Sequence, residues 1–171
     1  MIDIVKATIN DCDLLSKISK QCFIESHGNS ASKEDIEFFT AKNYSKAAFN
    51  NELQHSENKY HIIYVDNELA GYSKIVFDVP NENIQEQHVT KLDRLYLLKA
   101  FYGQNLGVKL LDFNIALSKR SNQKGVWLAV WVENVRAIHF YKKIGFEIVG
   151  AYNFKISETH SNPNHIVYLE Y

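Results

Sequence analysis

The period of the apolar positions changes several times along the chain, and each change marks an element. Ile2, Ile4 and the following Lys-Ala predict a short first strand. From Asn10 or Asp11, either of which can cap a helix, Leu14, Leu15, Ile18 and Cys22 fall on one helical face. Residues 26–33 (SHGNSASK) read as loop. Two helical stretches follow, at roughly 33–42 and 45–55, where Ile36 and Phe39, then Ala48, Phe49 and Leu53, recur at helical spacing. YHIIYV, the turn DNE and LAGYSKIVF predict a β-hairpin. A polar loop over 80–88 leads to a strand at roughly 89–97, VTKLDRLYL. Leu106, Leu110, Phe113 and Leu117 then form one face of an amphipathic helix over 104–119. GVWLAVW (125–131) is apolar on both faces, as a strand in the middle of a covered sheet is. Asn134 is placed to cap a helix carrying Ala137, Ile138, Tyr141 and Ile144, and Gly145 sits where such a helix ends. FEIVGAY and HIVYLEY supply two final strands. The order β-α-α-β-β-β-α-β-α-β-β predicts an α/β sandwich around a mixed sheet, in a single domain over 1–171.

With 171 residues, of which 46% are hydrophobic and 13% aromatic, the chain can bury one core. A formal net charge of -1 provides no basic footprint, which argues against nucleic acid as a partner. Cys12 and Cys22, the only cysteines, lie in one predicted helix roughly 15 Å apart, so they read as small buried hydrophobes and not as a bridge. The opening MIDIVKATIN has neither a basic nor an apolar leader region, and no apolar run approaches the roughly 20 residues of a membrane span. The expectation is a soluble, cytoplasmic protein without a membrane partner. The seven histidines show no metal-ligand spacing, so no metal is expected.

KAFYGQNLGVKLL joins the strand ending near Leu97 to the helix starting near Gln104. In such a strand–turn–helix, free N–H groups converge and the helix dipole favours an anion. Gly103 and Gly107 permit close approach, and Asn105 tolerates left-handed geometry. No G-x-x-x-x-G-K-[ST] is present, which excludes an NTPase of that kind, and no G-x-G-x-x-G opens the first βα unit, which argues against a dinucleotide dehydrogenase. By itself the turn fits a phosphate site and a plain tight connection about equally.

These residues carry a family resemblance. LDRLYLLKAFYGQNLGVKLL resembles motif A of the GNAT acetyltransferases, a strand followed by Q/R-x-x-G-x-G/A and a helix, with Tyr102 at the Q/R position and Asn105 at the first glycine. NVRAIHFYKKIGF (134–146) matches the family signature N-x-x-A-x-x-F-Y-x-K-x-G-F at every fixed position. With FNNEL and YHIIYVDNELAGYSKI, the similarity extends to PaiA-type spermine/spermidine acetyltransferases over most of residues 49–154. The resemblance implies a GNAT-like fold: a mixed, mostly antiparallel central sheet with helices on both faces. It also implies acetyl-CoA as co-substrate and an amine acceptor, and it allows a homodimer. The strand of Leu95 and Leu97 would splay from its neighbour and pair with the pantetheine arm, the N–H of Leu97 serving as oxyanion donor. Tyr102, Gly103, Gln104, Asn105, Gly107 and Val108 would hold the pyrophosphate. Lys99 or Lys109 would bring the charge that Tyr102 does not. Asn134 would cap its helix and touch the cofactor, and Tyr141 would protonate the departing thiolate.

An alkyl ammonium has no lone pair, so such an enzyme needs a base near the thioester. Asp93 matches an acidic position of the polyamine-type enzymes and is the first candidate for base and substrate contact, with a solvated ion pair to Arg94 or Lys91 as the competing reading. Glu25 and Glu133 are further acidic candidates, and Tyr96 is a candidate wall of the acceptor channel. A protein N-terminal or lysine acetyltransferase, which would need 24–45 and 78–90 to stand apart around an open groove, a non-catalytic acyl-CoA-binding module and a plain interaction domain are the alternatives.

Overall fold

The computed structural model describes residues 1–171. Strand β1 (Ile2–Lys6) leads into a short 3-10 turn (Ile9–Asp11) and helix α1 (Cys12–His27). Asp11 occupies the cap position of α1 without a side-chain cap bond, and Thr8 caps the preceding turn in a reciprocal capping box with Asp11. Helix α1 runs through His27, two residues into the segment expected as loop. Ser32 and Ser45 cap α2 (Lys33–Asn43) and α3 (Lys46–Gln54), accepting from the N–H groups of Asp35 and Ala48. Three helices therefore precede the hairpin, one more than the expected order counts. The hairpin is β2 (Lys59–Val65) and β3 (Glu68–Val76), and β4 (Thr90–Leu97) follows the polar loop. Helix α4 (Leu106–Arg120), strand β5 (Gly125–Trp131) and helix α5 (Val135–Ile144) lead to β6 (Glu147–Lys155) and β7 (Ser161–Glu170). Strand β7 begins at Ser161, four residues before the predicted HIVYLEY, and His165 lies opposite Val130 and Ala151.

The seven strands form one sheet in the order β1-β2-β3-β4-β5-β7-β6, with β4–β5 as its single parallel pair. Strand alternation gives the sheet two apolar faces. Ile62 and Tyr72 face α1–α3 in a core with Leu15, Phe23 and Phe49. Ile63 faces the opposite side with Leu106 and Leu110 of α4, while Leu128 and Val130 share that side with Tyr141 and Phe146. Helices thus cover both faces. Both cysteines are buried and unpaired. No helix is long and apolar enough to cross a membrane.

Two irregularities of this sheet create space. Parallel pairing of β4 with β5 stops after Thr90↔Val126 and Lys91↔Trp127, so the rest of β4 diverges from its neighbour. The β3–β4 register passes from Lys74↔Arg94 to Ile75↔Leu92, which makes Asp93 the extra residue of a bulge. Bulges re-aim side chains. This one turns Asp93, together with Arg94 and Tyr96, to the α1–α3 face.

Candidate active site

The turn before α4 has the geometry of an anion cradle. Gly103 (φ 79) and Asn105 (φ 61) are both left-handed, and Asn105 occupies the cap position without making a side-chain cap bond. The first N–H groups of α4 are therefore not claimed by a cap. A Cβ built on Gly103 would meet nothing within 4 Å, so the turn faces open space, whereas one on Gly107 would come within 3.4 Å of Phe140. Leu106, buried in the core, anchors the first turn of α4. Glu25 braces the preceding 3-10 turn, its carboxylate accepting from the N–H of Lys99 at 2.8 Å. Glu25 lines neither cavity described below and lies beside this turn. Tyr102 is held from α5: the guanidinium of Arg136 lies 3.6 Å from its ring centroid. A cation brought to this turn is Arg136, two residues beyond Asn134.

The splay between β4 and β5 leads inward from the turn. Leu98 donates its N–H to Ala70 of β3 at 2.9 Å. Alternation along the strand then points the N–H groups of Leu97 and Leu95 to the opposite edge, into the gap. A cavity of about 80 Å³ occupies this gap, with Leu95, Val130, Asn134 and Tyr141 in its wall. Asn134 caps α5 through the N–H of Ala137 at 3.2 Å. Tyr141 is only 6% exposed. It sits between Phe140 and Phe146, 5.0 and 5.2 Å away by ring centroid, and burial pushes its phenol above the ordinary range. It is a proton-bearing group at every physiological pH.

On the α1–α3 side lies a larger cavity of about 500 Å³ whose aromatic wall includes Phe23, Tyr96, Trp127, Trp131, Tyr152 and Phe154. His27, Asp93, Arg94, Tyr96 and Trp131 line both cavities, so these residues form the junction between them. Asp93 is the only carboxylate in either wall. It belongs to a buried ionic cluster: Lys91 approaches its Oδ1 at 2.7 Å and Lys74 its Oδ2 at 3.1 Å, while Lys74 and Arg94 reach Glu52 at 2.7 and 3.0 Å. Tyr60 donates its hydroxyl to Glu52 and accepts from Arg94 Nη1 at 2.5 Å. Burial would raise Asp93, but Lys74, Lys91 and Arg94 outweigh it and hold the carboxyl well below the usual range. The predicted pairing with Lys91 exists, although it is mostly buried and not on a solvated edge. A carboxylate so stabilised is a weak base. Glu133 is exposed and lines neither cavity.

His27 is the junction residue that sequence reasoning missed. Burial lowers its pKa to about 4 from an ordinary 6.5, so the ring is neutral above acidic pH. Its ring stacks on Phe23 at 4.9 Å. The hydroxyl of Ser26 donates to Cys22 O at 2.7 Å, which leaves its oxygen to accept from His27 Nδ1 at the same distance. That arrangement puts the proton on Nδ1 and the free lone pair on Nε2. No motif announced it, because residues 26–33 read as loop.

Comparison with known proteins agrees with this geometry. The family model described as acetyltransferase (GNAT) family matches residues 16–146. The uncharacterized N-acetyltransferase of the pepI 3′ region of Lactobacillus delbrueckii subsp. lactis is 29% identical over 145 residues, 84% of this chain and 83% of its own length. The spermidine N(1)-acetyltransferase of Thermoplasma acidophilum is 26% identical over 154 residues, 86% of this chain and 89% of its own. The crystal structure of the PaiA N-acetyltransferase of Thermoplasma acidophilum in complex with coenzyme A superposes with a TM-score of 0.80 at 23% identity, covering 100% of this chain and 99% of that one. The signature helix, the splayed strands and the uncapped turn thus lie in a fold shared with that structure, and the chain belongs to the GNAT family of N-acetyltransferases.

Proposed function

We propose that the protein transfers the acetyl group of acetyl-CoA to the primary amine of a small molecule, by direct attack while both substrates are bound. The observation that carries this reading is the junction: a strand splay and an aromatic cavity meet at His27, Asp93 and Tyr96. The residues present fit the co-substrate. The open turn of Tyr102, Gly103, Gln104, Asn105, Gly107 and Val108 offers N–H groups and the Arg136 charge to a pyrophosphate. The free edges of Leu95 and Leu97, with Asn134, suit the amide-bearing arm. Acetyl-CoA supplies an activated acyl carbon.

The acceptor arrives as an ammonium, and at pH 7.4 its deprotonation costs about 4 kcal/mol from a pKa near 10.4. The bare Nε2 of His27, itself a weak base because burial holds the ring at about 4, is the acceptor placed to relay that proton onward through water. Asp93, ionised and held by two lysines, is not the base; it fixes Lys74 and Lys91 beside the junction. Net positive charge in the cluster around it lowers the pKa of a bound ammonium and shares the cost. The N–H of Leu97 faces the oxygen on which charge develops. As the new N–C bond forms and the C–S bond breaks, Tyr141 gives its proton to sulfur and recovers one from solvent.

Segments 24–45 and 78–90 support a small acceptor over a peptide. They contribute His27, Phe39, Asn43, Tyr44 and Asn81 to the wall of one cavity. The spermidine acetyltransferase among the relatives makes alkyl amines, polyamines included, the first class to test. The test is free-thiol release from acetyl-CoA across an amine panel. Amine-dependent release is expected, and binding of acetyl-CoA without release on any amine would overturn the reading.

A further inference from the structure

The charge of the acceptor cavity narrows the class of amine, given the acetyl-transfer reading on which this inference rests. In the buried cluster, Lys74, Lys91 and Arg94 face only Glu52 and Asp93, so three cations meet two carboxylates and one positive charge is unmatched. Lys155 also lines the cavity, and its partner Glu158 is exposed at the rim. Each cation has a carboxylate neighbour, but the half-buried cluster as a whole carries a net charge of +1, which favours an added anion over an added cation. A polycationic acceptor would add like charges beside this cluster. Neither oxygen of Asp93 is free to receive one, since Oδ1 holds Lys91 and Oδ2 holds Lys74. Two of the ring faces that attract cations are already used: Arg94 lies 5.1 Å over Tyr44 and Lys91 5.5 Å over Trp127.

Arg94 lies at the junction with His27, but one cation of the cluster is set apart from the reacting end. His27 and Asp93 line both cavities, whereas Lys91 lines the larger one alone, with its side chain 34% exposed. We propose that the acceptor carries a carboxylate, or an anion of similar size, besides its primary amine, on an aromatic or branched apolar body. It is an amino carboxylate and not a polycation. Its amine lies at the junction by His27, its body against Phe23, Tyr96 and Trp131, and its anion on Lys91.

Matched pairs that differ only in the carboxylate test this: L-phenylalanine against phenethylamine and L-lysine against cadaverine, with spermidine alongside. Thiol release from acetyl-CoA gives kcat/KM for each, in the wild type and in Lys91→Gln, which brings the cluster to two cations and two carboxylates. The wild type is expected to favour the carboxylate member of each pair by about tenfold or more, and Lys91→Gln to bring the members within about threefold. Spermidine or the decarboxylated members leading in the wild type, or a gap unchanged by Lys91→Gln, overturns the proposal. A binding measurement separates its failure from that of the acetyl-transfer reading. In calorimetry on the CoA-loaded wild type, N-acetylphenylalanine is expected to bind about tenfold tighter than N-acetylphenethylamine. If no amine is turned over, acetyl transfer falls and this comparison alone decides the anion preference, with equal or absent binding counting against it.

Discussion

The two sides of the junction are made of different material. On the proposed acetyl-CoA side the working parts are backbone: a turn with two left-handed residues, an uncapped helix start and one edge of β4. On the acceptor side they are side chains drawn from α1, α3, β3 and β4, with Glu52, Lys74, Lys91, Asp93 and Arg94 tied into one cluster and His27 beside it. Backbone groups tolerate many sequences, while side-chain clusters encode one set of neighbours. Under the proposed function, the difference would mean that the first side serves the co-substrate and the second sets which amine is chosen.

Variants that change one side and spare the other sharpen this contrast. The largest effect belongs to Tyr141→Phe at the thiolate. It should lower kcat by about a hundredfold or more with little change in acetyl-CoA affinity, measured by steady-state kinetics and by equilibrium binding. Unchanged turnover would remove Tyr141 as the acid. Next comes His27→Phe, which keeps the stack on Phe23 but deletes Nε2. A loss of about a hundredfold in kcat/KM for the amine is expected, with acetyl-CoA binding retained. A loss in acetyl-CoA binding instead would move His27 to the other side of the comparison.

Glu52→Ala tests the cluster as structure. It leaves Lys74 and Arg94 facing Asp93 alone, and should cost about 3 kcal/mol in urea unfolding. Smaller still, Arg136→Gln removes the cation from Tyr102 and should weaken acetyl-CoA binding about threefold to tenfold, leaving selectivity among amines as it was. An altered amine preference in that variant would break the division between the two sides.

Acid stability supplies a test of burial itself. His27 and His61 are both held at about 4 against an ordinary 6.5, in each case with burial as the leading cause. The unfolded chain binds these protons and the folded chain does not, so stability is complete above about pH 6.5 and is lost as pH falls towards 4. The thermal midpoint should decline across that window, and His27→Phe should flatten the decline.

The sequence spoke clearly where chemistry is local. The strand–turn–helix around Gly103 and the helix from Asn134 to Gly145 each lie within one contiguous stretch, so spacing alone revealed them. It was silent where chemistry converges. Glu52 sits on α3 with no motif around it, and it meets Lys74 and Arg94 only because β3 and β4 pair beneath that helix. Asp93 could be chosen from its position on a strand, but not its protonation, which depends on a bulge and on two lysines. Arg136 occupies an unspecified position of the signature, so only the packing of α5 on the turn shows that its charge supplements Tyr102. The early start of β7 was lost for a related reason: Ser161 marks a boundary in a polar stretch where no apolar period changes.

The most direct test of the account is the stoichiometry of transfer. Free thiol and N-acetylated amine should be quantified together, by chromatography and mass spectrometry, in reactions of the wild type with acetyl-CoA and the matched amine pairs. The account predicts that both products appear in equal amounts, only when both substrates are present, and fastest with the carboxylate-bearing amines. Thiol release that proceeds without amine, or no acetylated product from any amine, would contradict it.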